Sequence, residues 1–130
     1  MDVIITLPSN LIQLIKEGKK CIELRKTYPK SFNPQKDVIY ICEKRTDYVV
    51  GYLTIELILY TNDKFAVLRD RSRYISVPLD WIADNIKNAK HRYSLIISNS
   101  KFFDEPLSLD ENFHVNKAPQ SFVYTFENYR

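Results

Sequence analysis

Tyr48 through Tyr60 is one β-prone run whose only breaker is Gly51, and a strand of this kind constrains the fold more than any other feature of the chain. An isolated glycine inside a strand marks a bulge or a sharp corner, where a sheet must bend. The run is therefore expected as a long strand in a sheet that curls. Further β-prone stretches surround it at Val3–Thr6, Cys21–Arg25, Val38–Cys42, Tyr93–Ser98 and Phe122–Phe126. Two segments carry helical spacing instead. Pro8-Ser9 introduces Leu11, Ile12, Leu14 and Ile15, with Gly18 placed to stop the helix. Residues 80–89 put Trp81, Ile82 and Ile86 on a buried side behind Asp80 as N-cap. About six strands with two helices, the strands adjoining one another without regular βαβ alternation, predict an α+β fold: a small mixed β-barrel rather than a parallel sheet.

No repeat, low-complexity tract or Pro/Gly/Ser linker divides residues 1–130, which read as a single domain. At 130 residues and 45% hydrophobic, the chain is long enough for a core that needs no disulfide or metal staple. With only Gly18 and Gly51 available, glycine-rich phosphate loops and the GxSxG nucleophile elbow are excluded. Cys21, Cys42, His91 and His114 lack the spacing of a zinc knuckle or an HExxH helix, so neither a metal nor another cofactor is expected. Two cysteines and no signal-like start predict a reducing, cytoplasmic setting. No apolar run approaches the roughly 18–20 residues of a bilayer span, and no membrane association is expected.

The formal charge is only +3, but it is unevenly placed. Residues 16–36 hold Lys16, Lys19, Lys20, Arg25, Lys26, Lys30 and Lys36 against Glu17 and Glu23, whereas residues 101–130 are net acidic. An acidic partner such as RNA would be drawn to one part of the surface.

The basic segment contains the string Gly18-Lys19-Lys20-Cys21-Ile22-Glu23-Leu24-Arg25. Strand alternation puts Ile22 and Leu24 on one face, toward the core, and Cys21, Glu23 and Arg25 on the other, with Glu23 and Arg25 roughly 6.6–7 Å apart along the strand. Lys20 lies at the helix–strand junction, where alternation does not set its direction. Two roles fit these residues: a solvated strand edge with an ion pair worth about 0–1 kcal/mol, or a cation–anion–cation wall of a cleft. Tyr28, Tyr40 and Tyr52 are candidate stacking surfaces beside it. Arg69, Arg71, Arg73, Lys87, Lys90 and Arg92 would either extend a basic track or form a solvated face. The Cys21 thiol shares the alternation of Glu23; an inert thiol is the ordinary expectation, since neither histidine is near in sequence to activate it.

Gly18, Lys20, Glu23 and Arg25 match the GxKxxExR signature of the ASCH domain, a member of the PUA-like β-barrel superfamily. The likeness extends over nearly the whole chain. Ile4-Ile5-Thr6-Leu7-Pro8 is similar to that family's opening strand and proline-led helix, Asp37–Glu43 and Tyr48-Val49-Val50-Gly51 to its next two strands, and Pro119-Gln120-Ser121-Phe122 to a closing-strand pattern of some members. The resemblance implies a cleft beside the first helix lined by Lys20, Glu23 and Arg25, together with Tyr40, Gln120 and Ser121, that binds RNA or a modified nucleobase. Lys19, Lys26, Lys30 and Lys36 would then contact the nucleic-acid backbone. Members that hydrolyse acetylated cytidine carry a threonine where this chain has Glu23. The alternative is a small amidohydrolase acting on N-acylated nucleosides such as N4-acetylcytidine, with Lys20 and Glu23 catalytic. A carboxylate accepts readily from an exocyclic amine or an imino N–H, which suits Glu23 to reading a base edge. A protein partner using the same cleft is a third possibility, because fold does not set function; the oligomeric state is not encoded in any of these features.

Overall fold

The computed structural model describes residues 1–60 and 93–130. The helix expected at 80–89, the cations from Arg69 to Arg92 and His91 lie outside the described residues. Within them the elements are β1 (Asp2–Leu7), α1 (Ser9–Lys16), β2 (Ile22–Arg25), β3 (Val38–Glu43), β4 (Tyr48–Tyr60), β5 (Tyr93–Ser108), α2 (Leu109–Phe113) and β6 (Val123–Thr125). The six strands form one mixed sheet in the order β2-β5-β4-β3-β1-β6. β1 and β3 are parallel and the other neighbours antiparallel.

Gly51 does what a strand glycine is expected to do. The β3–β4 register shifts between Ile41 and Cys42, opposite Gly51 and Val49, and the β4–β5 register shifts between Val49 and Gly51. A Cβ on Gly51 would lie 2.2 Å from the Lys101 carbonyl oxygen and 2.9 Å from the Phe102 Cα, so only glycine allows the neighbouring backbone this close. Further shifts flank Ile55. Each bulge adds local twist, and the sheet curls along β4 and β5.

Each face of the curled sheet is apolar. On one, Val3, Ile5 and Leu7 of β1, Ile39 and Ile41 of β3, and Leu53 and Leu95 pack under Ile12 and Ile15 of α1 and under Phe32. On the other, Ile4, Tyr40, Cys42 and Val49 pack under Leu109 and Phe113 of α2. α2 was not expected, yet Ser108-Leu109-Asp110-Glu111 has capping-box spacing. The Ser108 hydroxyl accepts from the Glu111 N–H, and the Asn112 side chain accepts from the Ser108 N–H.

The expected barrel is corrected to an open sheet. β2 has four residues and β6 three, and these two short edge strands are not joined by a backbone ladder. The curl nevertheless brings the two ends of the sheet together, because the Arg25 guanidinium on β2 donates from Nη2 to the carbonyl oxygen of Ser121, just before β6. One side chain spans the gap that a further ladder would close.

Candidate functional site

Gly18 sets the site up. Its φ of +71° is a left-handed conformation that a side chain would strain, and its N–H and that of Lys19 cap the carbonyls of Ile15 and Leu14 at the end of α1. The chain turns there and delivers Lys20 to the start of β2. Lys20 Nζ donates to the Ile22 carbonyl oxygen at 2.5 Å and lies 3.3 Å from Glu23 Oε2. Arg25 Nη1 lies 3.7 Å from Glu23 Oε1. The carboxylate therefore sits between two cations, with side-chain exposures of 9% for Lys20, 7% for Glu23 and 17% for Arg25. A solvated strand edge is excluded by these burials.

The strand faces differ from expectation in one respect. Ile22 is buried, as alternation requires, but Glu23 is buried too. Glu23 pairs directly with Leu95, a member of the larger core, and side chains directly opposite in an antiparallel pair share a face. The charged cluster thus lies on the face that carries α1 and the larger core, while Leu24 is only half-buried and forms a pocket wall. Strand alternation distinguishes two faces; it does not say that both will be covered.

Among the described residues, burial leaves one side-chain polar atom unsatisfied. Glu23 Oε2 is shut off from solvent and accepts no hydrogen bond, its contact with Lys20 being an ion pair without hydrogen-bond geometry. A buried acceptor without a donor costs about 1–3 kcal/mol, and an atom of this kind calls for a specific explanation.

Next to this cluster is a pocket of about 350 Å³ lined by Leu24, Arg25, Lys26, Thr27, Gln120 and Ser121. Arg25 belongs to both. The fold thus gathers Lys20, Glu23 and Arg25 with Lys26, Gln120 and Ser121, residues nearly a hundred positions apart. Tyr40 is not brought there. It is fully buried on the α2 face, where its ring packs edge-on against Phe113 and its hydroxyl accepts from the Tyr129 N–H; burial raises its pKa. Tyr52 packs beside it against Tyr40 and Phe103. Lys19 is exposed and paired with Glu17 at 3.1 Å. Lys30 borders a different hollow, and Lys36 lies near the C-terminal end of the chain, its carbonyl accepting from Arg130. The four lysines named for backbone contact are thus distributed over separate places. Cys21 is half-buried and its thiol reaches toward the Gly18 carbonyl.

Sequence reasoning missed Tyr60 and Tyr93, whose rings join Tyr28 in one cluster of tilted contacts. They end β4 and begin β5, so the pairing of these two strands was the signal that would have matched them. Among the described residues, no three His, Cys, Asp or Glu side chains gather as a metal site, and no helix is long and apolar enough to cross a membrane.

No protein-family model matches the sequence, and no curated protein matches it either. Solved structures do. The crystal structure of ASCH from Zymomonas mobilis superposes on 95% of this chain and 86% of its own, with a TM-score of 0.71 at 19% identity. Crystal structures of two mutants of that protein give 0.73 at 19% identity and 0.74 at 20% identity, covering 87% and 88% of their chains. The chain has the ASCH fold. Identity this low establishes the architecture alone, an α+β fold, and within it this chain buries the Lys20–Glu23–Arg25 cluster.

Proposed function

We propose that the chain binds RNA or a nucleobase-like ligand, with Glu23 accepting from an exocyclic amine or imino N–H of a base. The observation that carries this is Glu23 Oε2, a buried acceptor between two cations with no hydrogen-bond donor. A base edge supplies the missing N–H, and the Lys20 ammonium at 3.3 Å holds the carboxylate in place. Oε2 is closed to solvent, so entry requires movement. Arg25 is the most exposed of the three, and its swing away from the Ser121 carbonyl would open the 350 Å³ pocket toward Glu23. The open gap at the end of the sheet is what makes such a swing available.

The amidohydrolase alternative has less support. A lysine acting as base or nucleophile must present a lone pair to the substrate, whereas Lys20 Nζ is directed at the Ile22 carbonyl and the Glu23 carboxylate. Incubation with N4-acetylcytidine is expected to release no acetate. Binding is tested by calorimetric titration of cytidine, guanosine and a short single-stranded RNA into the wild-type chain and Glu23→Gln, with folding of the variant checked by circular dichroism. A folded Glu23→Gln that loses at least tenfold in affinity is expected. An equal affinity in the two proteins overturns the assignment of Glu23.

A further inference from the structure

Arg25 of β2 pairs in register with Tyr93 of β5, and Tyr93 pairs with Tyr60 of β4. Directly opposed residues share a face, so Arg25, Tyr93 and Tyr60 form one row across three strands. The next row is Glu23, Leu95 and Ile58. The motif and the tyrosines therefore occupy the same side of the sheet, with Arg25 and Tyr60 two strand spacings apart, roughly 10 Å. Tyr28, from the segment after β2, packs its ring 4.7 Å from that of Tyr93, and Tyr60 lies 5.2 Å from Tyr93 on its other side.

These three rings border a hollow of about 420 Å³ whose polar rim includes Lys30, Gln35 and Glu56. Tyr60 is 55% exposed, one of few large apolar side chains so placed among the described residues. A core aromatic has no need of that exposure. An aromatic face is a platform for any base, because every base has a π-face, and a neighbouring cation serves the phosphate that joins two nucleotides. Gln35 and Glu56 can donate to and accept from a base edge. Among the described residues, Lys30 supplies the one cation on the rim.

We propose that Tyr28, Tyr60 and Tyr93 form a second, base-stacking subsite that takes the nucleotide adjoining the one bound at Glu23, so that the ligand is single-stranded RNA of at least two nucleotides. This rests on the base-binding role of Glu23 and extends it. Lys30 contacts the phosphate, and the stacked base contributes affinity without sequence preference.

The test compares cytidine monophosphate with a short single-stranded RNA, by calorimetry and fluorescence anisotropy respectively, on the wild-type chain, Tyr60→Ala, Tyr60→Phe and Glu23→Gln. Tyr60→Ala is expected to weaken the RNA by roughly fivefold to a hundredfold, the worth of one stacked base, and to leave the mononucleotide unchanged. Tyr60→Phe, which keeps the ring, restores the RNA affinity. Unaltered RNA affinity in Tyr60→Ala overturns the subsite, as does equal loss of both ligands or a wild-type chain that binds no RNA. If Glu23→Gln changes nothing while Tyr60→Ala still weakens the RNA, the stacking subsite stands and the role of Glu23 falls.

Discussion

Removing the charge of Glu23 should destabilise the fold, and the geometry sets the scale. Lys20 Nζ and Glu23 Oε2 are 3.3 Å apart, which at an effective dielectric constant of about 20 is a gross attraction of about 5 kcal/mol. Desolvation of the two buried groups offsets much of it, so the pair contributes little net stability compared with an apolar pair. Breaking it is different, because Glu23→Gln leaves a cation buried without its counterion, at about 3–5 kcal/mol. Lys20 keeps its bond to the Ile22 carbonyl and Arg25 keeps that to Ser121, which places the expected loss near the lower end, about 3 kcal/mol. Lys20→Met combined with Glu23→Gln removes the stranded ammonium and recovers about 2 kcal/mol of the summed single losses. Urea melts of the wild-type chain, both single variants and the double variant complete the cycle. A Glu23→Gln variant within about 0.5 kcal/mol of wild type, with no coupling to Lys20→Met, would refute the buried ionic cluster.

Gly51→Ala forces a Cβ against the Lys101 carbonyl and the Phe102 Cα, so a loss of about 3 kcal/mol is expected in thermal or urea unfolding; a wild-type midpoint would disprove the close approach. Burial holds the Asp37 carboxyl up, but hydrogen bonds from the Met1 amino group and the Asn33 N–H prevail and bring its pKa below the usual 3.8. Because the folded pKa is the lower one, its stabilisation is complete above the unfolded value and is lost as pH falls through the folded value. Asp37→Asn should accordingly flatten the acid limb of stability against pH, and parallel limbs in the two proteins would contradict it. Burial, followed by the charges of Asp47 and Glu43, pushes the Cys42 thiol to about 11, so a thiol reagent at neutral pH should modify it only at the rate of unfolding; rapid labelling of the native protein would disprove this. RNA affinity should fall with salt at a log–log slope of about −0.7 per phosphate contacted, and Lys30→Ala should reduce that slope by about one contact.

Much of this architecture is written locally. β4 runs from Tyr48 to Tyr60, as its unbroken β-prone composition requires; Gly18 ends α1 in the left-handed conformation that its position demands; Gly51 marks bulges on both of its ladders. Spacing also put Glu23 and Arg25 on one side of a strand, where an ion pair joins them. These features depend on φ/ψ preference and on side-chain period, which a short stretch of chain carries by itself. α2 belongs here too, since the Ser108–Glu111 cap is a local signal.

Other features exist only after the sheet curls. Alternation put Glu23 on the face away from Ile22 and Leu24 and left open whether that face is solvated, yet it is covered as well, because Leu95 brings the larger core to it. Tyr40 shares the strand composition of any barrel aromatic, and its burial under Phe113 depends on α2 folding over that face. Whether the sheet closes depends on the relative positions of β2 and β6, which chain-local preferences do not specify; the answer is a gap spanned by Arg25 and Ser121. The row of Arg25, Tyr93 and Tyr60 is likewise a product of register between strands. A sequence determines which side chains a strand presents on each side. Only the pairing of strands determines which of them meet, since that is decided by the burial of both faces at once.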